Sequence, residues 1–211
     1  MLSARRLSLA RQSRQLFSDV SFSLEPGRAL LLQGRNGAGK TSMLRILAGL
    51  SQADDGQVLW QDSPIQQSEN FHASLLYLGH QPAVNVELSP TENLRYLCAL
   101  HDDNAESIAN ILVAVGLAGY EDVPAGQLSA GQQRRIALSR LWLSKAPLWI
   151  LDEPLTALDV KAVAGLEKRF KQHLDAGGML IVTTHQPAVL PEHATTRLEL
   201  SCPEPESEAS A

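Results

Sequence analysis

Short apolar runs and helix-spaced apolar positions alternate along the chain. Residues 28–33 (RALLLQ) form a nearly unbroken apolar run between Pro26-Gly27 and Gly34, the pattern of a buried strand. Met43, Leu44, Leu47 and Leu50 follow at helical spacing and predict a helix over 41–50. Strand-like runs recur at 56–60, 74–78, 148–151 and 179–183. Helical patterns occupy 91–100, 106–117, 130–143 and 160–174, and Gly177-Gly178 breaks the last of them. Strands alternating with helices predict an α/β domain with a mainly parallel sheet. Residues 2–33 carry strand patterns with no helix between them, which predicts an antiparallel part beside that sheet.

Composition narrows the class without naming a chemistry. Of 211 residues, 44% are hydrophobic and 19% charged, an ordinary globular mix that excludes a coiled coil, a collagen-like fibre and a disordered chain. Two cysteines, Cys98 and Cys202, exclude a disulfide framework and a four-cysteine zinc site, and suit a reducing compartment. Cys98 lies among apolar neighbours and reads as a buried structural thiol. A net charge of −5 offers no general reason to bind nucleic acid or an acidic membrane surface. No run approaches the roughly 18 apolar residues of a membrane span. The most apolar region, 141–151, is broken by Ser144, Lys145 and Pro147. The basic N-terminus has no apolar segment behind it, so no secretory signal is expected. Membrane association would then come through a partner. Without CxxCH or a His/Cys pair at ligand spacing, direct haem binding is not expected. The Pro/Glu/Ser-rich tail 201–211 reads as disordered.

The chemistry starts at Gly34-Arg35-Asn36-Gly37-Ala38-Gly39-Lys40-Thr41, which fits GxxxxGK[ST] between a strand and a helix. Glycines let successive backbone N–H groups turn toward one anion, and the helix N-terminus, continuing through Ser42, adds partial positive charge. Lys40 is placed to reach the β- and γ-phosphates of ATP, and the Thr41 hydroxyl to ligate Mg²⁺. A second half follows in Leu148-Trp149-Ile150-Leu151-Asp152-Glu153-Pro154. Its apolar run delivers Asp152 at the C-terminal end of a strand, where open α/β sheets bind ligands. Asp152 is a Mg²⁺ residue, and Glu153 can orient and polarise an attacking water.

Between these halves, Leu128-Ser129-Ala130-Gly131-Gln132 reads as a capped helix start and a second anion site. LSAGQ resembles the LSGGQ signature of ATP-binding-cassette (ABC) ATPases, and its place between the phosphate loop and LWILDEP matches that family. The resemblance implies that two cassettes pair head to tail. Ser129, Gly131 and Gln132 would then act on the ATP held by the Lys40 loop of the partner chain. It further implies a D-loop at Ala157-Leu158-Asp159 and a switch histidine at His185 contacting the γ-phosphate and Glu153. The family's Q-loop usually reads aromatic-x-x-Gln; here Tyr77-Leu78-Gly79-His80 is followed by Gln81, so either His80 or Gln81 takes that metal-facing place. The aromatic that commonly stacks on adenine has its place near Arg11, and the nearest aromatic is Phe17. Either Arg11 stacks or adenine recognition is weak.

Longer stretches resemble the ATP-binding subunits of cytochrome c maturation systems, the haem exporter ATPases. They are GRNGAGKTSMLRILAGL at 34–50, GQVLWQ at 56–61, LLYLGHQPAV at 75–84, LSPTENL at 88–94, QLSAGQQRRIALSRLWL at 127–143, APLWILDEPLTALD at 146–159 and TTHQP at 183–187. The resemblance implies a P-loop NTPase core with an antiparallel β subdomain and a small helical signature subdomain, one domain over 1–200. The helical lobe would span about 82–127, extending into the helix at 128–143. It implies a homodimer on integral membrane permease subunits at the cytoplasmic face of a bacterial inner membrane, with ATP hydrolysis driving haem export or release of a haem-loaded chaperone. Val84, Val86, Leu88 and Leu97 could line the permease groove or belong to the lobe core. A cassette for another substrate shares most of these motifs. A soluble P-loop phosphotransferase would have no use for LSAGQ.

Overall fold

The computed structural model describes residues 1–12, 14–101, 108–184 and 190–200. Among the described residues, strands fall into two sheets. Strands β1 (Leu2–Arg11), β2 (Arg14–Leu24), β4 (Asp55–Trp60) and β5 (Ser63–Pro64) form an antiparallel sheet in the order β2-β1-β4-β5. Strands β3 (Ala29–Gln33), β6 (Leu75–Leu78), β7 (Leu148–Asp152), β8 (Met179–Thr183) and β9 (Thr195–Glu199) form a parallel sheet in the order β6-β7-β8-β3-β9. Strands β7 and β8 are buried at every position, which is why their sequences are continuous rather than alternating apolar runs. The antiparallel part is therefore built from β1 and β2 with β4 and β5, whereas β3 joins the parallel sheet.

Helices α1 (Lys40–Leu47), α2 (Pro90–His101), α3 (Ile108–Ala114), α4 (Ala130–Leu143) and α5 (Val160–Asp175) complete the layers. Helix α1 stops short of the Leu50 that apolar spacing includes: Gly49 turns left-handed at φ 73° and its N–H closes on the Ile46 carbonyl. Leu50 is left half exposed.

Period-two alternation divides the parallel sheet between two cores. Leu30, Leu32, Ile150 and Ile181 face Met43, Leu44 and Leu47 of α1 and the antiparallel sheet. Leu31, Trp149, Leu151 and Leu180 face Leu138 and Leu141 of α4 and Leu166, Phe170 and Leu174 of α5. A third core joins α2, α3 and α4 through Leu94, Cys98, Ile111, Leu112 and Ile136. Cys98 is buried there as expected. Helix α4 thus touches both the sheet and the helical lobe, so a shift of the lobe is carried to the sheet edge.

One buried group in the second core titrates. His173 of α5 stacks on Trp149, ring centroids 3.6 Å apart and 6° from parallel, with its Nε2 at 3.2 Å from the Met179 carbonyl. Burial holds its imidazole down at about 4, with the nearby Arg169 guanidinium pushing the same way against the backbone contacts. Because the unfolded chain takes up this proton near pH 6.5, folding stability should fall as pH drops from about 6.5 to about 4 and level off below. The contribution at stake is up to about 3 kcal/mol. Denaturant titrations across pH 4–7 on the parent and His173→Phe check this: the variant should lose about one proton's worth of slope. An unchanged slope would show that His173 does not carry it.

Candidate functional site

The loop between β3 and α1 is shaped by its glycines. Gly34, at φ 143°, faces the Leu200 carbonyl so closely that a Cβ would lie 2.8 Å from it. Gly39, at φ 93°, sits over Leu16 and the Phe17 ring, which a Cβ would meet at 3.1 and 3.2 Å. Both positions require glycine for conformation and for space. Lys40 folds back over the loop, its ammonium donating to the Gly34 carbonyl at 2.7 Å and to the Arg35 carbonyl at 3.4 Å. The Ala38 N–H donates to Arg35, and its methyl is buried in the first core. Ala38 therefore shapes the loop, its N–H closing a turn on the Arg35 carbonyl.

A cleft of about 490 Å³ opens over this loop, lined by Arg35, Asn36, Gly37, Gly39, Lys40, Thr41 and Ser42. Its far wall is Asp152, Glu153 and Thr156 at the C-terminal end of β7, with His80 and Leu16 at the sides. Gly34 lines an adjoining cleft with Thr184. Asp152 is 2% exposed, and each carboxylate oxygen accepts a hydroxyl: Oδ2 from Thr41 and Oδ1 from Thr183, both at 2.7 Å. Thr41 and Asp152 are thus in direct contact although 111 residues apart. Their hard oxygens at the edge of this cleft fit Mg²⁺, which takes one or two protein ligands and completes its shell from phosphates and water.

Glu153 is the next residue, and its backbone is unusual. It adopts φ 47°, a left-handed conformation costly for a side chain with a Cβ. Its N–H donates to the Thr183 hydroxyl at 2.9 Å, and its carbonyl accepts from Arg134 at 3.0 Å. Arg134 of α4, 5% exposed, spreads its guanidinium over four carbonyls: Gly79 and His80 through one terminal nitrogen, Asp152 and Glu153 through the other, all within 2.9–3.1 Å. Burial draws this guanidinium below its usual range, while the charges of Asp152 and Glu153 pull it back up.

Ser129 and Gln132 form a reciprocal capping box at the start of α4: the Gln132 N–H donates to the Ser129 hydroxyl and the Ser129 N–H to the Gln132 side chain. Gly131 lies against the Ala157 carbonyl, 2.7 Å from where a Cβ would stand. The first reason for this glycine is therefore contact with the 157–159 segment of its own chain. Asp159 caps α5 through the Ala162 N–H and pairs with Arg135, and these contacts hold its carboxyl below the usual range. None of Ser129, Gly131 or Gln132 lines the phosphate cleft of its own chain.

The remaining sequence candidates separate. His80 reaches the cleft wall and also lines an adjoining cavity of about 310 Å³, which Gln81 shares with Thr41, Arg45 and Tyr77. Phe17 cannot stack on a base: it is 1% exposed and packed beneath Gly39. Leu16 stands at the cleft in its place, and Arg11 is exposed near the β1–β2 turn. Val84 and Leu97 pack against the helical core, whereas Val86 and Tyr96 are more than half exposed. His185 lies outside the described residues, as does the tail 201–211.

A match to the family described as ABC transporter spans residues 17–156. The cytochrome c biogenesis ATP-binding export protein CcmA of Shigella flexneri is 49% identical over 202 residues, 95% of this chain and 97% of that protein. The protein of the same name from Vibrio cholerae is 52% identical over 189 residues, 88% of this chain and 91% of its own. The chain belongs to the ABC transporter family, among its cytochrome c biogenesis ATP-binding export proteins. Its fold agrees: a solved ATP-binding subunit of an ABC transporter superposes with a TM-score of 0.81 at 22% identity, covering 95% of this chain and 88% of that one. The expected α/β architecture of the ABC ATP-binding domain, with its parallel core, antiparallel sheet and helical part, is the architecture found.

Sequence reasoning about this ABC domain missed Arg134, Thr183 and Leu16. Thr183 and Leu16 gave only a weak signal, one a hydroxyl at the end of an apolar strand and the other the neighbour of an aromatic. Arg134 had a stronger one: it falls among the buried positions of α4, where an unpaired charge is not tolerated.

Proposed function

We propose that this chain is the ATP-hydrolysing subunit of an inner-membrane ABC transporter complex for cytochrome c maturation. Two copies would dock on integral permease subunits at the cytoplasmic face, and hydrolysis would drive haem export or release of a haem-loaded chaperone. The observation that carries the ATPase reading is the Asp152 carboxylate, gripped by the Thr41 and Thr183 hydroxyls within one cleft that also holds Lys40 and Glu153. The name shared by its relatives supports the cytochrome c assignment. Among the described residues no helix is long and apolar enough to cross a membrane, so the reading needs permease partners.

The residues divide the work as follows. Lys40 and the outward N–H groups of 34–42 bind the β- and γ-phosphates. Thr41 and Asp152 would hold Mg²⁺, with His80 or Gln81 as a further candidate; when bound, the ion would neutralise charge on the β- and γ-oxygens. Glu153 orients the attacking water, His185 contacts the γ-phosphate, and Ser129, Gly131 and Gln132 close over the ATP of the partner chain. Head-to-tail pairing would give each site residues from both copies.

The test is affinity capture of the chain from its native membranes, with mass spectrometry and a haem absorbance scan. Recovery of multi-span membrane proteins with a haem-bearing chaperone is the expected result. Multi-span partners without haem chemistry would move the cassette to another substrate. Soluble partners alone would remove the transporter reading.

A further inference from the structure

We propose that Arg134 is a positioning residue for hydrolysis, fixing the backbone at Glu153 and at His80 from the signature helix. The proposal rests on the reading of Glu153 as the residue that orients the attacking water.

Three observations converge on it. The left-handed backbone at Glu153 persists only if both flanking peptide groups are held. Thr183 holds the N–H side and Arg134 the carbonyl side. The same guanidinium holds the carbonyls of Gly79 and His80, so the two loops facing the γ-phosphate position, one after β6 and one after β7, share one brace. That brace is rooted in α4, which Ser129 caps, whose first turn carries Gly131 and whose flank packs on the helical lobe. A displacement of the lobe therefore reaches Glu153 and His80 together, through one rigid planar group. A buried guanidinium meeting four neutral carbonyls is a costly way to achieve packing alone, since an apolar side chain would fill the space without desolvating a charge. It is an effective way to aim four peptide groups, because its four terminal N–H bonds lie in one plane.

The role predicts a split between binding and turnover. Lys40, Thr41 and Asp152 hold nucleotide through groups that Arg134 does not touch, since Arg134 meets Asp152 at its carbonyl and not at its carboxylate. In the full chain within its native membranes, Arg134→Gln should lower kcat by about 10- to 100-fold while KM for MgATP stays within about threefold. Arg134→Lys should restore little, because one ammonium cannot span four carbonyls. In the Glu153→Gln background, Arg134→Gln should add less than about a threefold further loss, because both changes act through one carboxylate.

Turnover at the parental rate in Arg134→Gln would overturn the proposal. So would a full multiplicative loss in the Glu153→Gln background. Parallel loss of nucleotide affinity and turnover in both Arg134 variants would show a purely structural guanidinium and overturn it as well. Parental turnover in Glu153→Gln itself, with Arg134→Gln slow, would instead remove the reading of Glu153, and the proposal would fall with it.

Discussion

Replacing Glu153 by Gln should leave MgATP affinity within about threefold of the parent and cut turnover by about 100-fold or more. Thr183 and Arg134 hold the backbone that presents this side chain through its N–H and carbonyl, so the amide should occupy the same place. Lys40, Thr41 and Asp152, the residues proposed to contact phosphates and metal, are unchanged. What the amide lacks is negative charge and basicity: it cannot polarise a water or take up its proton as the γ-phosphate is attacked. Positioned general bases contribute roughly 10²–10⁴-fold, which sets the scale of the loss. The measurement is phosphate release at saturating MgATP beside a direct nucleotide-binding titration. Equal losses in both would place Glu153 in ground-state binding. Parental turnover would deny it any part in the chemistry.

How much of this site could be read in the sequence depended on how strictly a position restricts residue type. At Gly34 and Gly39 the backbone angles and close neighbours admit little but glycine, so the loop was legible. The run before Asp152 was legible because a strand buried on both faces has no polar position to interrupt it. Strand β9 was not, being a five-residue edge strand with three exposed positions whose pattern does not stand out from a loop. What faces the base was left open between Arg11 and weak recognition; on β2 neighbours face opposite ways, so Phe17 enters the core while Leu16 lines the cleft. Arg134 was obscured by its neighbour. Two successive arginines on a helix read as a solvated face, yet Arg135 reaches the Asp159 carboxylate while Arg134 turns inward to four carbonyls. Helical spacing puts Arg134 in phase with the buried Ala137, Leu138 and Leu141, but its acceptors lie 18 to 55 residues away in sequence, so only the tertiary arrangement supplies them.

A mixture of two inactive variants should recover activity. Lys40→Ala removes the ammonium that the Gly34 carbonyl holds over the phosphate loop. Ser129→Arg breaks the capping box and places a long cation at the first turn of α4. Each alone should lose turnover by about 100-fold or more. If both residues served one site within a chain, mixing could restore nothing, because every site of a mixed pair would stay broken. The geometry opposes that arrangement: the signature residues line no part of their own chain's phosphate cleft, and Gly131 is backed by Ala157. In a two-fold pair, what one copy offers its partner the partner offers in return. A mixed pair would then hold one site with both changes and one with neither. Random pairing at equal amounts makes half the dimers mixed, so turnover should recover to about a quarter of the parent. ATPase assays on co-expressed, differently tagged chains measure this directly, and the mixed species, once isolated, should turn over at about half the parental rate. A mixed dimer no more active than its parents would overturn the trans arrangement, and so would failure to form any nucleotide-dependent dimer, since Ser129 would then have no second chain to act upon.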